Sequence, residues 1–167
     1  YYLWLAVITY SQENNQIYDP IDIFQKLIKK FPEFLRPGIK TILKFIYKKK
    51  LDNECSKVFL YTNNQAHGLE NSKWLELIID YFHNLIHASN PPLFDKIISA
   101  FKINNRIIEP LRTTHDKTYS DFIRCTLVPK TAEICFIDNT YYENMRNKRV
   151  FLIVPASYNH GLSKSTI

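Results

Sequence analysis

Glycine is scarce in this sequence, with 3 in 167 residues. A phosphate-binding P-loop and a dinucleotide fingerprint each need several glycines close together, so neither is present. Cysteine is equally rare, and Cys55, Cys125 and Cys135 show no Cys-x-x-Cys spacing. An odd count argues against a disulfide framework, and a four-thiolate zinc site fails by number. Free, buried thiols in a reducing, intracellular compartment are expected. No apolar run reaches about 18 residues, so no membrane-spanning helix is predicted. The apolar opening Tyr1-Tyr2-Leu3-Trp4-Leu5-Ala6-Val7-Ile8 has neither a basic leader nor a small-residue cleavage site, unlike a secretory signal. The only methionine is Met145 and the chain opens on Tyr1. Translated sequence is therefore expected to continue upstream.

What the chain does have is bulk. Hydrophobic residues make up 46%, with 11 Phe and 11 Tyr. That excludes a disordered tail and is enough for the core of one compact domain spanning residues 1–167. The 22 Lys and Arg outnumber the 16 Asp and Glu, for a net charge of +6. The cations are spread along the chain and the aromatics read as core, so a nucleic-acid partner is not expected.

The pattern divides into a helical front and a strand-helix-strand back. Asp19-Pro20 reads as an N-cap followed by proline at the first helical position. Ile21, Phe24, Leu27 and Ile28 follow at helical spacing. Arg36-Pro37-Gly38 punctuates, then Ile39, Ile42, Leu43 and Ile46 line a second helix closed by Lys48-Lys49-Lys50, a solvated basic end. A strand is predicted over 57–62, and a helix over about 71–87 with Trp74, Leu77, Ile78, Tyr81, Phe82 and Leu85 buried. Residues 97–101 and 106–109 read as a hairpin around Asn104-Asn105. A helix over 120–126 and buried strands over 134–137 and 150–154 complete the chain. Strands alternating with helices predict an α/β fold whose parallel sheet is covered on both faces.

Ligands in such sheets sit at the carboxyl ends of strands. Thr62-Asn63-Asn64 and Asp138-Asn139 both fall at such ends. Thr62, Asn63 and Asn64 offer a hydroxyl and amides to phosphate oxygens, Lys117 offers a cation ahead of a helix, and Asp138 with Asn139 offers oxygen ligands suited to Mg²⁺. Singly, these are a turn, a solvated lysine and a cap. Their order on alternating strands and helices raises the phosphoryl-and-metal reading above each dull one. His83 and His87 lie four apart but lack the glutamate of the zinc-protease motif. Against a Cys/His nucleophile pair at Cys125 or Cys135, Cys135 falls in a predicted buried strand, where a thiol is ordinarily inert core.

The stretches Leu35-Arg36-Pro37-Gly38, Phe59-Leu60-Tyr61-Thr62-Asn63-Asn64-Gln65, Leu93-Phe94-Asp95, Glu109-Pro110-Leu111-Arg112-Thr113-Thr114-His115, Lys117-Thr118-Tyr119-Ser120-Asp121-Phe122 and Ile134-Cys135-Phe136-Ile137-Asp138-Asn139 together carry a resemblance. The sequence resembles haloacid-dehalogenase-type (HAD-like) phosphatases from about residue 30 onward. Within them it resembles the NLI-interacting-factor-like branch, the phosphatases of the RNA polymerase II C-terminal domain, and most of all versions from large DNA viruses. The resemblance implies a three-layer Rossmann-like fold and Mg²⁺-dependent removal of phosphate from phosphoserine or phosphothreonine in a protein or peptide through a phosphoaspartate. It implies that Thr62 binds the transferred phosphoryl group, Lys117 stabilises the phosphoaspartate, Asp138 and Asn139 hold Mg²⁺, and Arg112 is a substrate or structural contact. The family's first motif, Asp-x-Asp-x-Thr, supplies the nucleophile and the acid/base. It is not in this sequence, since Asp19-Pro20-Ile21-Asp22 has the wrong spacing and begins a helix. The first strand is then expected upstream of Tyr1. The alternative is a catalytically inactive domain that keeps the fold for binding or structure, as in a viral particle.

Overall fold

A computed structural model describes residues 6, 9–10, 12–14, 19–63, 74–88 and 90–162 of the chain. It is mixed α/β, with four helices and short strands among the described residues. The chain divides into two compact units, one of residues 1–56, 73–93 and 158–167, the other of residues 57–72 and 94–157.

The first unit is helical. Helix α1 spans Pro20–Lys30 and begins as the sequence predicts: the Asp19 carboxylate accepts from the Ile21 N–H at 2.9 Å and Pro20 needs no partner for its nitrogen. Helix α2 spans Ile39–Leu51 and starts after Gly38, whose φ of 80° is a left-handed conformation that costs glycine little. Helix α3 spans Trp74–Ile86 and packs against both. Phe24, Ile28 and Leu77 form the buried centre of this unit, with Ile21, Leu27 and Tyr81 around them. The rings of Phe24 and Tyr81 meet edge-on at 5.6 Å.

Two expectations here are corrected. Helix α3 buries Leu75, Leu77, Ile79 and Ile86 and leaves Ile78, Tyr81, Phe82 and Leu85 half-buried. Its apolar residues run nearly all round, so periodicity alone did not select the deepest face. The Lys48-Lys49-Lys50 run is not a uniformly solvated end, because Lys50 is buried and its ammonium donates to the carbonyls of Pro92 at 2.8 Å and Leu93 at 3.2 Å. Its flexible stem lets the cation reach those oxygens while the methylenes pack. Lys48 and Lys49 instead pair with Asp52 and Glu54.

The second unit holds the strands. Strand β1 (Phe59–Tyr61) pairs in parallel with β2 (Lys96–Ile98), with Leu60 opposite Ile97. The Asp95 carboxylate fastens the start of that pair, accepting from the Val58 N–H at 2.7 Å and from Lys57 at 3.2 Å. Strands β3 (Lys102–Ile103) and β4 (Arg106–Ile107) form a hairpin. Asn104 and Asn105 turn it with φ of 47° and 63°, the two left-handed residues of a tight hairpin turn. The predicted hairpin is therefore present but shorter, since residues 96–98 join β1 instead. Helix α4 spans Tyr119–Thr126, and strands β5 (Ile134–Ile137) and β6 (Val150–Ile153) form a second parallel pair.

Both parallel pairs pack against α4. Tyr61, Ile98, Phe122, Cys125 and Met145 are the buried cluster, and Phe59, Ile134, Phe136, Val150 and Leu152 surround it. The expectation of strands buried on both faces is corrected for β5 and β6. Their alternate residues Cys135, Ile137, Phe151 and Ile153 are exposed, because the two-residue period turns them away from α4. Cys135 is accordingly an exposed thiol and Cys125 a buried one. Among the described residues no helix is long and apolar enough to cross a membrane.

Candidate phosphoryl-binding site

Lys117 and Asp138 come from segments 21 residues apart and meet in the second unit. Asp138 ends the β5 ladder, its N–H donating to the Ile153 carbonyl at 3.1 Å. Lys117 ends the loop before α4, whose N-cap is Thr118: that hydroxyl accepts from the Asp121 N–H at 3.1 Å. The Lys117 Nζ lies 2.6 Å from Asp138 Oδ2, with both side chains mostly hidden, and Asp138 Oδ1 accepts from the Thr140 N–H at 2.9 Å. Two tyrosine rings flank the ammonium, Tyr142 at 5.4 Å and Tyr61 at 5.8 Å from their centroids. Burial pushes the Tyr61 phenol up to about 12. Burial first, and then the Asp138 charge, raises Tyr142 as well. Both phenols stay protonated at neutral pH, so neither competes with Asp138 as an anion for Lys117.

Thr62 follows β1 and is half-buried, its N–H continuing the ladder to the Ile98 carbonyl at 2.9 Å. Asn63 is exposed, and Asn64 lies outside the described residues. Tyr61, immediately before Thr62, joins the β1 end to the Lys117 segment, since its hydroxyl accepts from the Thr118 N–H at 3.3 Å. Arg112 is 2% exposed. Its guanidinium donates to the carbonyls of Thr62 at 3.2 Å, Ser99 at 2.7 Å, His115 at 3.0 Å and Asp116 at 3.0 Å. Its carbon lies 4.8 Å from the Tyr61 ring centroid.

The structure thus gathers Thr62, Arg112, Lys117 and Asp138 at one end of the unit. Sequence reading passed over Tyr61, Tyr142 and Asp121. Tyr61 directly precedes Thr62 in the chain, which is the available signal, whereas Tyr142 lies four residues after Asp138. Asp121 is wholly buried and accepts from the Thr113 N–H and hydroxyl, each at 2.9 Å, and from Arg124 at 2.9 Å. It holds the loop that carries Arg112 onto α4. His83 and His87 do not share a helical face, because His87 has left α3 with a φ of 58°.

A hard divalent cation takes six or more oxygens. Asp138 and the exposed Asn139 supply two side chains to it, and both carboxylate oxygens of Asp138 already accept hydrogen bonds. The other acid beside Lys117, Asp116, accepts from the Asn144 amide at 2.7 Å. Among the described residues no group of three or more His, Cys, Asp or Glu is placed to hold a metal. Asp138 and Asn139 would supply two ligands to a Mg²⁺ ion, which keeps several waters and binds through one or two carboxylates together with phosphate oxygens.

Chemically, the arrangement offers a nearly buried ammonium and a strand-end threonine. Together they can neutralise and hydrogen-bond a tetrahedral oxyanion in a low-dielectric setting. Compared with protein-family models, curated proteins and solved structures, the chain matches none.

Proposed function

We propose that this chain carries the phosphoryl-binding part of a phosphoserine/phosphothreonine protein phosphatase-like domain of the haloacid dehalogenase class, in its NLI-interacting-factor-like branch. The observation that carries the reading is the 2.6 Å contact of Lys117 with Asp138 at the end of β5, next to the end of β1 where Thr62 stands. In this reading the two parallel strand pairs belong to one three-layer sheet that an Asp-x-Asp-x-Thr strand completes. Two further features favour it: both pairs pack on α4, and both carboxyl ends lie within reach of one ammonium, Tyr61 and Asp138 being its neighbours.

In function, Thr62 donates its hydroxyl hydrogen to one phosphoryl oxygen. The Lys117 ammonium offsets the charge on the others. Asp138 holds that ammonium in place until the phosphoryl group arrives. The partner is a phosphoprotein or phosphopeptide inside the cell or in a virion. Mg²⁺ belongs to the reading together with a nucleophilic carboxylate from an Asp-x-Asp-x-Thr strand.

One observation favours a second reading, a domain that binds phosphate without turnover. Asp116 and Asp138 are each engaged by other side chains, so neither is poised as a nucleophile. A Mg²⁺-dependent assay on the whole protein with a phosphoserine peptide separates the two. Release of phosphate that falls at least about a hundredfold in Lys117→Met and Asp138→Ala supports the enzyme. Saturable binding without release supports the second reading, and neither binding nor release overturns both.

A further inference from the structure

A guanidinium carries four terminal N–H groups and one Nε–H. In Arg112 the four hydrogen bonds, two from each terminal nitrogen, go to the carbonyls of Thr62, Ser99, His115 and Asp116. The remaining Nε is buried and has no hydrogen-bond partner among the described residues. No terminal N–H is left for a phosphate oxygen. The four carbonyls belong to three separate segments: the end of β1, the end of β2 and the loop that delivers Lys117. Arg112 also lies over the ring of Tyr61, which binds the Thr118 N–H on the far side of Lys117.

We propose that Arg112 is a positioning residue, a four-carbonyl clamp that sets Thr62 and Lys117 in one frame and does not itself touch the phosphoryl group. The proposal rests on the phosphoryl-binding reading for its functional half. The chemistry suits arginine specifically. Its planar fork holds several donors at fixed angles, whereas a lysine ammonium has three donors on one atom and cannot serve all four carbonyls. The cationic charge is stabilised by carbonyl dipoles and an aromatic face instead of a carboxylate, so it leaves Asp138 to Lys117.

The test compares the full chain with Arg112→Lys and Arg112→Gln by amide hydrogen exchange and by calorimetric titration with inorganic phosphate at two salt concentrations. The clamp requires both variants to speed exchange about tenfold or more at residues 62–63, 99–101 and 115–118, with β5 and β6 unchanged. It also requires both to lose phosphate affinity about tenfold while keeping the parent's salt dependence, since no charge contact to the anion is removed. Arg112→Lys carries the test alone where Arg112→Gln does not fold. Slow exchange with parent-like affinity in Arg112→Lys would overturn the clamp, as would a weakened salt dependence in either variant. A parent chain that binds no phosphate but shows this exchange pattern would remove the phosphoryl reading and leave the clamp standing.

Discussion

Lys117 and Asp138 form a nearly buried ion pair, 2.6 Å between Nζ and Oδ2, with the side chains 10% and 13% exposed. Removing one partner of such a pair leaves a charge without compensation in a poorly solvated place. Lys117→Met and Asp138→Leu are each expected to destabilise the protein by about 3 kcal/mol. The double variant should cost clearly less than the sum of the two. Urea unfolding of the four proteins in a double-mutant cycle measures it, and additive losses would mean the pair is not coupled.

Leu127 closes α4 in a left-handed conformation, φ 57°, and the residue is 84% exposed. The side chain contributes little burial there, while the backbone conformation costs a non-glycine residue about 1 kcal/mol. Leu127→Gly is therefore expected to raise stability by about 1 kcal/mol. An unchanged or lower melting temperature contradicts it.

Asp121 is wholly buried and accepts three hydrogen bonds from Thr113 and Arg124. Asp121→Ala strands those donors and is expected to cost about 3 kcal/mol, with Asp121→Asn costing less because one acceptor oxygen remains. Denaturant midpoints at matched slopes decide the ranking.

Thiol reactivity should follow exposure and thiolate content. Burial pushes the Cys125 thiol up to about 11, whereas Cys135 is exposed and Cys55 half-buried. In the native protein at pH 8 a thiol reagent is expected to label Cys135 first and Cys125 only after unfolding. Mass spectrometry of quenched samples reads the order.

Burial holds the His83 imidazole below its ordinary value of 6.5, with Asp80 opposing and Lys50 adding to the effect. The folded protein then binds that proton less readily than the unfolded chain. His83 consequently costs nothing above the unfolded value, and stability falls as pH drops through it toward the lower folded value. Between pH 8 and pH 5 the parent should lose more stability than His83→Gln, which melting curves across that window compare.

Much of this was legible in the residues themselves. Asp19-Pro20 set the start of α1, Asn104-Asn105 turned a hairpin, and Thr62 and Asp138 stood at strand ends, because capping, turn chemistry and apolar runs are local signals. What pairs with a strand is not local. Ile97-Ile98 read as part of a hairpin yet lies beside β1, since a parallel partner depends on a crossover that leaves no mark in a short window. Cys135 and Ile137 read as core because a short apolar run does not tell which faces are covered. The roles of Arg112 and Lys50 were hidden for a similar reason: their partners are backbone carbonyls, which every residue has.

The most direct test of the phosphoryl-binding reading is a calorimetric titration of the chain with inorganic phosphate, run in parallel with Lys117→Met. The account predicts saturable binding that weakens about tenfold or more in the variant, as a nearly buried charge-assisted contact is lost. No binding by the parent, or equal binding by Lys117→Met, would contradict it.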